Sequence, residues 1–165
     1  MSRACRSLVG AIILILVATP VFPQQATTQS DRKLVEAAKL LDVKVGRFVG
    51  YGNDFEDYSR STSGSAQFLV LHFLQDEAVR AATAMQATQI MLLLYTYTFF
   101  HPARADARVM VQARLDYYVE GLGDSIARVN GLVTRIQNPA IVNSASRMRD
   151  DLRETIDLLK SIKLP

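Results

Sequence analysis

The chain has 165 residues, of which 49% are hydrophobic, a length and composition that suit one domain with an apolar core and are too small for two. Its 19 basic and 16 acidic residues leave a formal net charge of only +3. Two of the basic residues, Arg3 and Arg6, lie in the N-terminal segment interpreted below as a signal, so 17 basic residues then face 16 acidic ones. A domain so close to neutral has no excess of basic residues that would indicate nucleic-acid binding.

The first 26 residues have the order of a secretory signal peptide. Arg3 and Arg6 form a positive start, residues 8–17 are an apolar segment, and prolines and small residues follow. Cleavage is expected between residues 19 and 27, and an uncleaved signal anchor that tethers the domain to the membrane is the alternative. We therefore predict that the protein is periplasmic or secreted.

Residues 27–165 are the predicted mature domain. The single cysteine, Cys5, precedes the apolar segment, whereas the lipidated cysteine of a lipoprotein follows it. Cleavage removes Cys5 and leaves no disulfide, thiolate metal site or cysteine nucleophile. Packing must therefore supply the stability of this domain.

The first predicted helix starts at Asp31, which suits an N-cap. Its apolar stripe advances in steps of four and three residues: Leu34, Ala38, Leu41, Val45, Phe48, Gly52 and Phe55. Gly46, Gly50 and Gly52 weaken the helix, so that it either ends near Val49 or uses the glycines for close approach to a neighbour. Residues 53–65, rich in Ser, Asp and Gly, are predicted to be a linker.

The segment of residues 66–100 is predicted to be one long helix, because it contains neither Pro nor Gly. Its charges are confined to Asp76, Glu77 and Arg80, and we expect it to be buried on most faces at the centre of the fold. The uncharged residues 81–100 are long enough to span a membrane. Glutamines and threonines keep the mean hydropathy of that window moderate, which favours a core helix instead.

His101 and Pro102 end this helix, and the short turn predicts that the next helix runs antiparallel to it. The third helix is predicted from Ala103 to Ile136, and the sequence leaves open whether Gly121 and Gly123 break or kink it. Its stripe again advances by four and three residues: Val111, Leu115, Tyr118, Leu122, Ser125, Val129, Leu132 and Ile136.

Asn138 and Pro139 supply a cap and a first-turn proline for a fourth helix that ends near Ile162. Its stripe consists of Val142, Ala145, Met148, Leu152, Ile156, Leu159 and Ile162. The opposite face, with Arg147, Asp150, Asp151, Arg153 and Glu154, is expected to be solvated. Together the segments predict an all-α, up-down four-helix bundle with long helices.

No motif for metal or cofactor chemistry is found in the sequence. His72 and His101 would be about 44 Å apart on one helix, and neither Glu-x-x-His nor Cys-x-x-Cys-His occurs. His72 is expected to be a partly buried core or interface residue. The acidic group Asp54, Glu56 and Asp57 does not match a calcium loop and is interpreted as solvated. We therefore predict no cofactor, no metal and no catalytic residue.

A belt of small and polar residues lies opposite two tyrosines in the predicted bundle. In an antiparallel pair, Tyr117 and Tyr118 face the level of residues 85–88, close to several alanines and to Gln86 and Gln89. This arrangement either packs closely, which is the default, or leaves a pocket lined by Tyr hydroxyls and Gln amides.

The sequence predicts a non-catalytic, exported bundle that acts as an interaction or structural module of the cell envelope. It would bind a protein partner or a second copy through a helix face, and a membrane only if the signal is not removed. The alternative is a small-molecule or lipid-binding bundle whose candidate pocket residues are Gln86, Gln89, Tyr117 and Tyr118.

Overall fold

The computed structural model describes residues 29–62, 66–98 and 103–165. These residues form four long helices: α1, Gln29–Ser61; α2, Ala66–Tyr97; α3, Arg104–Val133; and α4, Pro139–Ser161. No strand occurs in the described ranges, so the predicted all-α class is confirmed there. The predicted signal peptide, residues 1–26, lies outside the described residues.

The four helices pack side by side as a bundle. The most extensive contacts join α1 to α2, α3 packs against α4 and α2, and α1 also contacts α4. Gly52 of α1 lies against Ala78 of α2, whereas Asp42 accepts a hydrogen bond from Gln89, so residue numbers rise in one helix as they fall in the other. Neighbouring helices are therefore antiparallel, as the short connections predict.

α1 confirms its predicted stripe but not its predicted end. The stripe residues are buried except Val45, which is half-buried, and the helix continues without interruption to Ser61. The linker predicted from residue 53 was therefore wrong over its first nine positions. Phe55 is fully buried, and the local polar groups are satisfied within the helix, since Ser59 donates to the Glu56 carbonyl and Arg60 bonds to the Glu56 carboxylate. Burial of Phe55 outweighs the poor helix propensity of this segment.

α2 is buried along one side only, so the prediction that most of its faces are covered was wrong. Leu69, Phe73, Leu94 and Tyr97 are each more than half exposed. None of the helices in the described ranges is long and apolar enough to cross a membrane. The apolar surplus of α2 therefore lies at the protein surface.

α3 and α4 begin and end close to the predicted positions. α3 is continuous through both Gly121 and Gly123 and ends at Val133. The side chain of Asn138 accepts a hydrogen bond from the Ala140 amide at 2.9 Å, and Pro139 occupies the first turn of α4. The predicted cap is thus confirmed.

Polar contacts close the end of the bundle at which α1 and α3 begin and α2 and α4 end. Arg104 donates to the buried Asp31 at 3.1 Å and lies 5.0 Å from the ring centre of Tyr95. The Tyr95 hydroxyl donates to the Pro165 carbonyl at 2.7 Å. These contacts connect α1, α2 and α3 to Pro165, which lies four positions after the end of α4.

Replacement of Gly46 or Gly50 by Ala should stabilise the protein. Both glycines lie inside α1, and an added Cβ would meet no atom within 4 Å. Each substitution removes the helix-propensity cost of Gly, so we expect the free energy of unfolding to rise by about 1 kcal/mol. Urea denaturation followed by circular dichroism measures the change.

Ala127→Gly, at an exposed position inside α3, provides the reverse control and should lower the free energy of unfolding by a similar amount. Destabilisation by Gly46→Ala or Gly50→Ala would show that α1 is not a continuous helix in solution.

Candidate binding groove between α2 and α3

A groove of about 380 Å³ runs along the outer side of the contact between α2 and α3. Ala81, Ala84 and Ala87 line it from α2, and Tyr117, Tyr118 and Gly121 line it from α3. Its volume lies within the range of small-ligand sites, about 300–1,000 Å³. The groove is open along its length, since several lining residues are exposed.

Small residues beside the buried seam account for the groove. Ala84 and Ala87 flank the core positions of α2, and Gly121 flanks those of α3. In a bundle, such flanking positions usually carry long side chains that cover the seam. Here the side chains are too short to meet, although Tyr117 and Tyr118 stand beside them with ring centres 5.7 Å apart.

The structure brings some of the predicted pocket residues together and separates others. Tyr117 and Tyr118 both line the groove. Gln89 donates instead to Asp42 of α1 at 3.2 Å, so it belongs to the other flank of α2. Gln86 is half-buried and is not part of the groove lining. The groove therefore combines tyrosines with alanines and arginines, without the glutamine amides.

A charged cluster that the sequence analysis missed closes one end of the groove. The Glu77 carboxylate, whose side chain is only 6% exposed, accepts from Arg128 Nε at 2.6 Å and from Nη2 at 3.0 Å. Arg128 also donates to Ser125 Oγ at 3.1 Å. The hydrogen bonds from Arg128 to Glu77 raise the pKa of Arg128. Arg80 approaches the same carboxylate at 3.8 Å.

The pattern held a signal for this cluster. Ser125 occupies a stripe position of α3, and Glu77 precedes Ala78, which is buried in α2, so both are polar groups at or beside a buried seam. Buried carboxylates require partners, and a basic residue one turn after Ser125 is the natural donor.

Exposed apolar side chains continue the groove toward the α2–α3 turn. We define the α2–α3 face as Ala87, Ile90, Leu94 and Tyr97 of α2 with Met110 and Tyr117 of α3. Leu94 is 61% exposed and Met110 is 74% exposed. Steps of three and four residues place the α2 members on the side that lines the groove at Ala87. Large apolar residues gathered on one surface indicate an interaction site.

The densest charged cluster lies elsewhere, between α1 and α4. The Asp151 side chain is only 8% exposed and accepts from Lys44 at 2.7 Å, Arg47 at 2.8 Å and the Tyr51 hydroxyl at 2.8 Å. Lys44 also contacts Glu154. The prediction that Asp151 belongs to a solvated face was therefore wrong, because α1 covers it.

The donors determine how this cluster titrates. Burial by itself would raise the pKa of Asp151, but the hydrogen bonds from Lys44, Tyr51 and Arg47 outweigh it and hold that pKa below its ordinary value. Burial and the bond to Asp151 raise the pKa of Tyr51 to about 12. Near neutral pH Asp151 therefore stays ionised and Tyr51 stays protonated, which preserves the hydrogen bond between them and suits a structural role.

The remaining ionisable groups do not assemble a metal centre in the described part of the chain. No group of three His, Cys, Asp or Glu side chains is found there that could hold a metal ion. His72 is exposed, with Nδ1 3.1 Å from the Gln75 amide oxygen, so its predicted burial was wrong. His101 lies outside the described residues.

Substitution of Asp151 tests the α1–α4 cluster. Asp151→Asn should lower the free energy of unfolding by about 3 kcal/mol at pH 7, because it removes the charge that balances Lys44, whose side chain is only 12% exposed. Since the folded pKa is depressed, this contribution is present above about pH 4 and is lost as the pH falls through the folded pKa. Urea titrations at several pH values measure both effects.

Asp150→Asn is the matched control, because Asp150 is the exposed neighbour and, among the described residues, pairs only with arginines of α4. We expect a change of about 0.5 kcal/mol or less for it. Equal effects of the two substitutions would contradict the burial of Asp151.

No protein-family model matches the chain, and the comparisons with curated proteins and with solved structures likewise gave no significant match. Any functional assignment therefore depends on the residues themselves. Two features with the character of a binding site are the groove and the α2–α3 face.

Proposed function

We propose that the protein is a non-catalytic, exported helical-bundle protein of the cell envelope that binds a protein partner or a second copy of itself through the α2–α3 face. The observation that carries this proposal is the exposure of Ile90, Leu94, Tyr97, Met110 and Tyr117 on one surface. Covering such side chains removes apolar area from water, and Tyr and Met are enriched where proteins meet.

The charge distribution of this surface also favours association. α2 has no charged residue from Ala81 to its end at Tyr97. Arg114, with its guanidinium 5.7 Å from the ring centre of Tyr117, borders the apolar members of the face. An apolar centre with a polar border is the usual anatomy of a protein interface.

A second candidate function is the binding of a small molecule or lipid in the groove. The observation in its favour is the gap of about 380 Å³ left by Ala84, Ala87 and Gly121 beside two tyrosines. The two functions share Ala87 and Tyr117, so a bound ligand would also change the surface available to a partner.

Export is tested by the mass of the protein recovered from the periplasm of an expressing bacterium. The signal-like N-terminus predicts that the mature chain begins between residues 19 and 27. Intact-mass spectrometry should therefore show the loss of that segment, including Arg3 and Arg6. Full-length protein confined to the cytoplasmic fraction would contradict export, whereas full-length protein in the membrane fraction would indicate an uncleaved anchor.

Substitution of the most exposed members tests the interaction surface. The double variant Leu94→Ser and Met110→Ser should weaken association at least tenfold. In the complex the partner would bury both apolar side chains, which together contribute more than about 1.4 kcal/mol to the free energy of association. Light scattering over a concentration series measures self-association. Photo-crosslinking from positions 94 and 110 in expressing cells detects a different partner.

Val43→Ser with Val49→Ser is the matched control, because both valines are about half exposed on α1, away from this face. The control should associate as the unaltered protein does. A monomer at every concentration, with no more crosslinking from positions 94 and 110 than from position 43, would refute the proposed function.

A further inference from the structure

Two arginines line the charged end of the groove. Arg128 and Arg80 both face the Glu77 carboxylate, so two guanidinium groups share one negative charge. Arg128 Nη1 donates none of the hydrogen bonds found within the described residues, and Arg80 is exposed. Asp124 also attracts Arg128 from the exposed surface of α3, but no acidic residue lines the groove.

The rest of the groove is apolar and linear. From Arg128 to Tyr117 it extends about 16 Å along the axis of α3, at 1.5 Å per residue. Its α2 side consists of Val79, Ala81, Thr83, Ala84 and Ala87, next to Arg80. Beyond Tyr117 the exposed Leu94 and Met110 continue the apolar surface toward the α2–α3 turn. The site thus has two arginines at one end and an extended apolar surface along the rest of its length.

We propose that this groove binds a single-chain amphiphile with a carboxylate head, of the free fatty-acid class. The carboxylate accepts from the guanidinium of Arg80 and from Nη1 of Arg128, because Nε and Nη2 of Arg128 already bond to Glu77. The chain lies over Ala84 and Ala87 and leaves the groove toward Leu94. This inference rests on the second candidate function, the binding of a small molecule or lipid in the groove.

The shape of the site favours a chain over a compact ligand. A flexible chain can contact an open, elongated groove along its whole length, whereas a ring system would cover only part of the groove. The open donors favour an acid over an alcohol or an amine, because Arg80 lies 3.8 Å from Glu77 and donates none of the hydrogen bonds found within the described residues. A carboxylate head would accept those hydrogen bonds, whereas a neutral head would add no charge to the pairing.

Titration calorimetry with sodium oleate and with oleyl alcohol, both below their aggregation concentrations, tests the proposal on the mature protein. Oleate should bind at least tenfold more tightly than the alcohol, since a charge-assisted hydrogen bond contributes about 1.5–3 kcal/mol. Arg80→Gln should remove most of that preference, with little effect on the alcohol. Arg153→Gln, at an exposed arginine of α4, should leave both affinities unchanged.

Gly121→Leu tests the position of the chain. An added Cβ meets no atom within 4 Å at Gly121 or at Gly123, so both positions accept a larger side chain, but only Gly121 lines the groove. Gly121→Leu should abolish binding of both ligands, and Gly123→Leu should not. Equal effects of the two substitutions would overturn the placement of the chain.

The outcomes separate this inference from the function on which it rests. Equal affinity for oleate and oleyl alcohol, unaffected by Arg80→Gln but lost in Gly121→Leu, would overturn the carboxylate head and leave the groove a binding site. Absence of binding by either ligand would overturn both. Tight binding of oleate that is sensitive to Arg80 and Gly121 would support both.

Discussion

Burial of one apolar stripe from each helix is the constraint on which the rest of this structure depends. The stripes advance by three or four residues, so each covers one side of its helix, and four of them enclose a single core. Large side chains such as Phe48, Phe55, Met85 and Tyr95 are almost fully buried there. The core explains why α1 remains helical through a polar segment, and why the surplus apolar residues of α2 must lie outside.

Two buried carboxylates add specificity to this apolar packing. Asp151 connects α4 to α1 through three donors, and Glu77 connects α2 to α3 through Arg128. An apolar seam tolerates displacement by a turn, whereas a buried carboxylate that loses its donors costs several kcal/mol. We infer that the two pairs help to fix which helices are neighbours and at what level they meet. Asp151 also makes the stability of the bundle depend on pH below about 4.

The proposed binding surface follows from the same geometry. Core positions of α2 and α3 are filled, but the positions beside them hold Ala84, Ala87 and Gly121, which cannot cover the seam. The uncovered strip becomes a groove where charges close it at Arg80 and Arg128, and an apolar face where Leu94 and Met110 extend it. A partner helix and an acyl chain would therefore compete for one surface, so binding of either one would reduce binding of the other.

The sequence by itself determined the helices, their antiparallel order and most of the core. These depend on local rules: the spacing of apolar residues, the Asn138 cap and the short connections. The tertiary structure decided which partners the buried carboxylates Asp151 and Glu77 have, because those partners come from neighbouring helices. The sequence predicted a solvated Asp151, yet α1 covers it and supplies its donors. Gln89 bonds to Asp42, which leaves Tyr117 and Tyr118 in a groove that Arg128 closes at its other end. Helix rotation within the bundle therefore decided the composition of the groove.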